Sequence, residues 1–203
     1  MAKKSQLLIS VPLVVCVLVS CVSGGQIGNI VSKFKQSEVG KAFLLGHSEK
    51  DLEIVLAFLR DPVRNFPRVQ RVANVCSYIY AYACYLAETN DKDEAGYHDL
   101  SIKYFWPATD ENVPILTYLV MNCHNAFLGE SFVDEYTKLF GASPEVFVRD
   151  LRRRPNWKEI VRHLTSGYWG AFTDGLAKLG NSGFERELKD YALSISKRSC
   201  SEH

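Results

Sequence analysis

The chain lacks the residue patterns on which most enzymes and metal sites depend. Its histidines are dispersed, and none forms an i,i+4 pair with a second histidine or a cysteine of the kind that a zinc-binding helix uses, so no such helix is predicted. The glycine-rich stretch at residues 24–28 precedes no strand–helix unit and is not a phosphate loop. Cys123 and His124 are adjacent, and neighbours on a helix point about 100° apart, so they would not meet as nucleophile and base. We therefore expect a non-catalytic protein without a metal or cofactor.

The sequence also has no large excess of positive or negative charge. Residues 1–20 contain two lysines and no acid, so without them the 24 basic and 23 acidic side chains become 22 and 23. A chain this close to neutral, without a clustered basic footprint, is not expected to bind nucleic acid. No stretch of Val, Ile or Thr alternates with period two for long enough to predict a strand. What remains is a mainly helical pattern, with 47% apolar residues to fill a core.

The N-terminus carries the pattern of an export signal. Lys3 and Lys4 precede an almost unbroken apolar run at residues 7–19. That run is shorter than the ~20 apolar residues that a spanning helix needs. A short basic start followed by such a run is typical of a signal peptide. We expect residues 1–20 to be removed on export.

The signal ends in Leu18-Val19-Ser20-Cys21, which looks like a bacterial lipobox. On this interpretation Cys21 is the lipidation site, and its acyl chains anchor the protein, at ~0.8 kcal/mol for each buried methylene. Residues 21–29 would then be a tether ahead of one domain at residues 30–203, on the periplasmic side of the bacterial cell envelope. An ordinary secretory signal cut near Ser23 or Gly24 is the alternative.

From Ile30 onward the sequence predicts helices almost throughout. Prolines mark the ends of these helices. A proline cannot continue a helix, and it restricts the backbone conformation of the residue before it. Asp61-Pro62 and Phe66-Pro67 are interpreted as the two sides of a turn. The predicted helices are residues 30–45, 49–59 behind Ser48, 69–87, 91 or 93 to about 105, 114–127, 132–140, 144–152, 157–179 and a last helix with an apolar face over 184–195.

The strongest helical pattern covers Val69 to Ala87, which has two apolar stripes. One face carries residues at spacings of three and four: Val72, Val75, Cys76, Ile79, Ala83 and Leu86. The second stripe consists of Tyr78, Tyr82 and Tyr85. A helix that is apolar on both sides is expected to be central and buried. The tyrosines are either core residues or, because a hydroxyl suits a wet cleft, a surface for a ligand or partner.

The cysteines beyond the anchor are Cys76, Cys84, Cys123 and Cys200. On one helix, Cys76 and Cys84 would lie ~12 Å apart, which exceeds the reach of a disulfide. We interpret both as small core residues. The states of Cys123 and Cys200 stay open.

Pairs of antiparallel helices suggest a repeat, which residues 76–109 support weakly. On the tetratricopeptide pattern, Ala83, Ala95 and Pro107 occupy matching positions, while Asp99 falls where an aromatic belongs. A second copy is not evident. The predicted fold is all-α, a single domain of helical hairpins stacked in a tetratricopeptide-like superhelical array.

The order of several short strings resembles a known family of exported helical lipoproteins. The strings are Phe43–Gly46 with Ser48–Glu53, Tyr80–Ala83, Ile102–Phe105 and Gly167–Phe172. Together they are similar to the T component associated with tripartite ATP-independent periplasmic (TRAP) transporters, whose fold is built from cryptic tetratricopeptide-like hairpins. The chain is short for that family. The family's shared oligomer therefore stays an open alternative.

The resemblance implies a non-catalytic accessory protein, lipid-anchored in the periplasm, that binds the solute-binding protein of a TRAP transporter. A structural lipoprotein that scaffolds envelope assembly and a carrier of a hydrophobic ligand are the alternatives. Arg149 and Arg152–Arg154 form the chain's one charge cluster, either a solvated helix end or a docking patch for an acidic partner. The predicted partner-binding residues are Tyr78, Tyr82, Tyr85, Arg152, Arg153 and Trp157.

Overall fold

A computed structural model describes residues 24–89, 105–123, 127–167 and 169–199. These ranges contain eleven α-helices and no strand, so the predicted all-α class is confirmed. The helices are α1 Gly24–Gln36, α2 Glu38–Leu44, α3 Glu49–Arg60, α4 Pro62–Val69, α5 Val75–Thr89, α6 Val113–Cys123, α7 Phe127–Ala142, α8 Pro144–Arg152, α9 Trp157–His163, α10 Trp169–Lys178 and α11 Gly183–Ser199, with a short 3-10 turn at Leu164–Ser166.

Helix ends marked by strong local signals lie where the sequence predicts them. Ser48 caps α3, its hydroxyl oxygen accepting the Asp51 backbone N–H at 3.3 Å. Helix α8 begins at Pro144 and ends at Arg152, the predicted bounds. Pro155 then lies between α8 and α9, as expected for a residue that cannot continue a helix.

The prediction of one helix over residues 69–87 is wrong at its N-terminal end. Val69 ends α4, and α5 begins only at Val75. Between them Asn74 has a φ of 54°, a left-handed conformation that a continuous helix cannot contain.

The segment that follows Asp61-Pro62, interpreted as a turn, is instead the helix α4. Proline at the first helical position is preorganised for it.

Two other predicted helices are interrupted. Ser37 separates α1 from α2, its hydroxyl donating to the Phe34 carbonyl at 2.7 Å and accepting the Gly40 N–H at 2.9 Å. A Cβ on Gly40 would collide with the Phe34 backbone, so the two helices approach closely here. The predicted helix 157–179 breaks at the 3-10 turn and at Gly167, whose backbone is extended.

The helices pack around a continuous cluster of buried side chains that reaches from Ile30 in α1 to Ala192 in α11. Helix α6 is central, since α4, α5, α7, α8 and α9 all pack against it. Helix α7 has its most extensive contact with α10, where a Cβ on Gly175 would meet the Phe140 ring at 2.5 Å. The hairpin partner predicted for residues 91–105 lies, except for Phe105, outside the described residues.

A disulfide between Cys76 and Cys123 links α5 to α6, with the two Cα atoms 5.3 Å apart. Cys76 is buried as predicted, but the interpretation of it as an unpaired core residue is wrong. The central packing of α6 brings Cys123 to it across 47 residues, a proximity that local sequence cannot reveal. Cys84 is free and half-buried, and Cys200 lies outside the described residues.

Within the described ranges, no helix has the length and apolar character required to cross a membrane.

Candidate functional site

The three predicted tyrosines lie in the core. Tyr78, Tyr82 and Tyr85 are 3%, 3% and 4% exposed, so they do not form the wet cleft proposed from their hydroxyls. Helix α5 is covered on this side by α2 and α3. The Tyr78 hydroxyl accepts the Ser48 backbone N–H at 3.0 Å, which helps hold the start of α3. Burial raises the pKa of Tyr78. These positions stabilise the fold and offer a partner little accessible surface.

The arginine cluster divides into paired and unpaired members. Arg149 forms a bidentate ion pair with Asp110, through bonds of 3.0 and 3.1 Å. This guanidinium lowers the pKa of the Asp110 carboxyl. Arg154 forms a second bidentate pair with Asp150, at 2.8 and 2.9 Å. These two arginines already have carboxylate partners, and are less available to an external acid.

The Arg154–Asp150 pair belongs to a partly buried polar network. Asp150 also accepts the Thr117 hydroxyl at 2.8 Å, which joins α8 to α6. The hydroxyl of Tyr136 lies fully buried nearby and has no hydrogen-bond partner among the described residues. Burial, followed by the negative charge of Asp150, raises the pKa of Tyr136. The network ties α8 to α6, and its acceptors and donors are largely used within the protein.

Arg152 and Arg153 remain exposed at the end of α8. No described carboxylate forms an ion pair with either of them. The Arg152 guanidinium lies 5.7 Å from the centre of the Phe184 ring, a cation–π contact with α11. This end of α8 is therefore a positive surface backed by an aromatic ring.

Trp157 lies directly beneath this surface. It is 9% exposed, and its ring packs edge-on against Phe184 at 5.2 Å and Tyr191 at 5.3 Å. Lys158 lies over the same rings, 5.3 Å from the centre of Trp157 and 5.6 Å from that of Tyr191. Trp157 thus supports the surface from below and is not itself a broad contact residue.

We call this assembly the basic–aromatic face, defined by Arg152, Arg153, Trp157, Lys158, Phe184 and Tyr191. The structure brings Arg152 and Trp157 together through Phe184, and it leaves the tyrosines of α5 out of this group. The guanidiniums of Arg152 and Arg153, which form no ion pair with a described carboxylate, can each donate two hydrogen bonds to a carboxylate of a partner. The face offers recognition of an acidic surface, and its side chains include no nucleophile paired with a base.

Sequence reasoning missed Phe184 and Tyr191 as members of this face. Their spacing of seven residues placed them on the apolar side of the last helix. That signal predicts burial, but it does not tell which helix they pack against. The packing of α11 on α9 supplies that information.

The other polar clusters and cavities among the described residues give little support to a metal site or a ligand pocket. The described residues include no group of three His, Cys, Asp or Glu side chains arranged to hold a metal. Glu135 is buried and accepts the Trp106 indole N–H; burial raises the pKa of this carboxyl. A hollow of about 210 Å³ between α10 and α11, lined by Leu176 and Leu193 among others, is smaller than the roughly 300 Å³ at which ligand pockets usually begin.

No protein family, curated protein or solved structure matches this chain.

Proposed function

We propose that this protein is a non-catalytic, lipid-anchored accessory protein of the bacterial periplasm that binds the solute-binding protein of a TRAP-type transporter. The basic–aromatic face is the proposed binding surface. The resemblance to the T component supplies the identity of the partner, and the face supplies the chemistry of contact. An acidic patch on the partner would meet Arg152 and Arg153.

The observation that carries this proposal is the pair of exposed arginines at the end of α8, of which Arg152 lies over the Phe184 ring. Arg and aromatic residues are enriched where interfaces concentrate their binding energy. Arg152 and Arg153 have no carboxylate partner among the described residues, whereas Arg149 and Arg154 do. A guanidinium that forms no internal ion pair can pair with a partner's carboxylate without first breaking such a pair.

The disulfide supports the export part of the proposal. Structural disulfides persist in oxidising compartments such as the periplasm and are rare in the cytosol. The Cys76–Cys123 bond therefore agrees with the signal peptide and with a lipid anchor at Cys21, which lies outside the described residues.

A tetratricopeptide-like array is the finer fold proposal. The extensive contacts of α3 with α4 and of α6 with α7 support it, since consecutive helices pair in such arrays. The contact of α7 with α10 joins helices that are not consecutive, and it is a departure from a simple stack.

Replacing Cys21 by serine should release the protein from the membrane. Lipidation requires the cysteine sulfur, and loss of several acyl chains removes the anchor's apolar burial. The measurement is fractionation of envelope membranes after export, with the Cys16→Ser chain as the matched control. Unchanged membrane attachment of the Cys21→Ser chain would show that the lipobox interpretation is wrong.

The partner proposal predicts a cross-link that depends on Arg152 and Arg153. A photoreactive residue at exposed Asn156, beside the face, should capture a periplasmic solute-binding protein from intact cells, identified by mass spectrometry. Arg152→Glu with Arg153→Glu should reduce this product about tenfold or more, because like charges would then face each other.

The matched control is Lys33→Glu with Lys50→Glu, which changes the net charge equally at exposed positions on α1 and α3. The control should leave the cross-link intact. Capture of envelope-assembly proteins instead would favour the scaffolding alternative. Co-purification of a lipid with the soluble domain would favour the ligand carrier.

A further inference from the structure

Helix α4 presents a row of arginines on the side that faces away from the core. Arg64 and Arg68 lie on α4, and Arg71 follows in a turn whose N–H bonds to the Arg68 carbonyl at 3.1 Å. At about 100° per residue Arg64 and Arg68 lie about 40° apart around α4, and Arg71 follows just beyond the end of the helix. All three are exposed, while Pro62 and Val69 on the opposite side are buried. We call these three residues the α4 arginine row.

The arginine row has no internal partner among the described residues. The ion pairs there involve other cations, and none includes Arg64, Arg68 or Arg71. The adjacent acid, Asp61, accepts the backbone N–H of Arg64 at 3.2 Å and so caps the helix. The row therefore keeps an uncompensated positive charge at its outer surface.

The helix that carries the row is firmly held. The Asn65 side-chain amide donates to the Ala57 and Asp61 carbonyls, both at 3.0 Å. The Tyr118 hydroxyl of α6 donates to the Val69 carbonyl at 3.2 Å. With its inner side fixed to α3 and α6, α4 presents the arginines from a rigid, convex surface.

Helix α4 belongs to the N-terminal group of helices, which follows the proposed anchor in the chain. Lys35 in the last turn of α1 pairs with Glu49 in the first turn of α3 at 2.6 Å, and the two helices pack together. Helix α3 in turn has an extensive contact with α4, so α4 is linked through α3 to the helix that begins at Gly24. The three residues from Cys21 to Gly24 span at most about 10 Å.

We propose that Arg64, Arg68 and Arg71 form a docking surface for the anionic phospholipid headgroups of the membrane that holds the protein. The proposal rests on the lipid anchor of the proposed function. Guanidinium groups bind phosphate through paired hydrogen bonds. Arginines on a convex helix do not converge on one ion, but they match phosphates spread over a surface.

Chemical footprinting of the full chain tests this proposal. Phenylglyoxal modification of each arginine is followed by mass spectrometry on vesicles of phosphatidylcholine, with or without phosphatidylglycerol. With phosphatidylglycerol we expect modification of the arginine row to slow about fivefold at each residue. At 1 M salt, where the Debye length is about 3 Å, the protection should disappear. Arg152 and Arg153 are the internal controls and should react equally on both vesicles.

Equal reactivity of the row on both vesicle types would overturn the proposal. So would equal protection on pure phosphatidylcholine, because the anchor alone would then account for it. Protection by inorganic phosphate without vesicles would indicate an isolated anion site instead of a membrane surface. The proposed function is tested by two separate experiments, the Cys21→Ser fractionation and the cross-link at Asn156.

Discussion

Replacing Cys76 and Cys123 together by alanine is expected to lower the free energy of unfolding by about 3 to 4 kcal/mol. The disulfide constrains the unfolded chain by closing a loop between residues 47 positions apart. Chain entropy predicts about 4 kcal/mol for a loop of that length. Denaturant unfolding of the mature chain, followed by far-UV circular dichroism, measures the difference. The wild type under a strong reductant should lose a similar amount.

Cys84→Ala is the control for this experiment, since Cys84 is the free, half-buried cysteine of the same helix. It should keep nearly the wild-type stability under oxidising conditions. A double alanine chain that unfolds at the wild-type denaturant concentration would argue against the Cys76–Cys123 pairing.

Tyr82→Ala is expected to cost about 3 kcal/mol or more of unfolding free energy. Tyr82 is 3% exposed and its ring stacks on that of Tyr85, with centres 5.9 Å apart. Removing a large buried ring loses its burial and leaves a cavity. Thermal and urea unfolding measure the loss, and the cross-link at Asn156 reports partner binding under conditions where the variant stays folded.

The matched control is Tyr80→Ala, on the same helix but 52% exposed. An exposed substitution should change the unfolding free energy by only about 0.5 kcal/mol. A Tyr82→Ala chain with nearly wild-type stability and weakened partner binding would restore the cleft interpretation of these tyrosines.

The parts of the fold that the sequence predicts are those set by short-range chemistry. Ser48 caps α3 through a bond to a residue three positions away, and Pro144 starts α8 by fixing its own φ. The predicted start of α5 is wrong because the left-handed conformation of Asn74 belongs to the turn that joins α4 to α5. The apolar periodicity of the sequence continues through that turn, so periodicity alone predicts one unbroken helix.

The candidate site was less predictable because its properties depend on contacts between distant residues. Arg149 pairs with Asp110 across 39 positions, and this contact removes it from the set of available arginines. Arg152 reaches Phe184 on another helix. The arginine row of α4 had a local signal, the i,i+4 spacing of Arg64 and Arg68, but the turn interpretation of this segment concealed it.

The bond between Cys76 and Cys123 also changes how the molecule responds to a protease. A single cut at any peptide bond between these two residues would yield fragments that remain covalently joined. The nicked chain would keep its full mass until it was reduced. A cut between Cys123 and the start of α7 would instead leave α7 to α11, together with the basic–aromatic face, without a covalent link to the lipid-anchored portion.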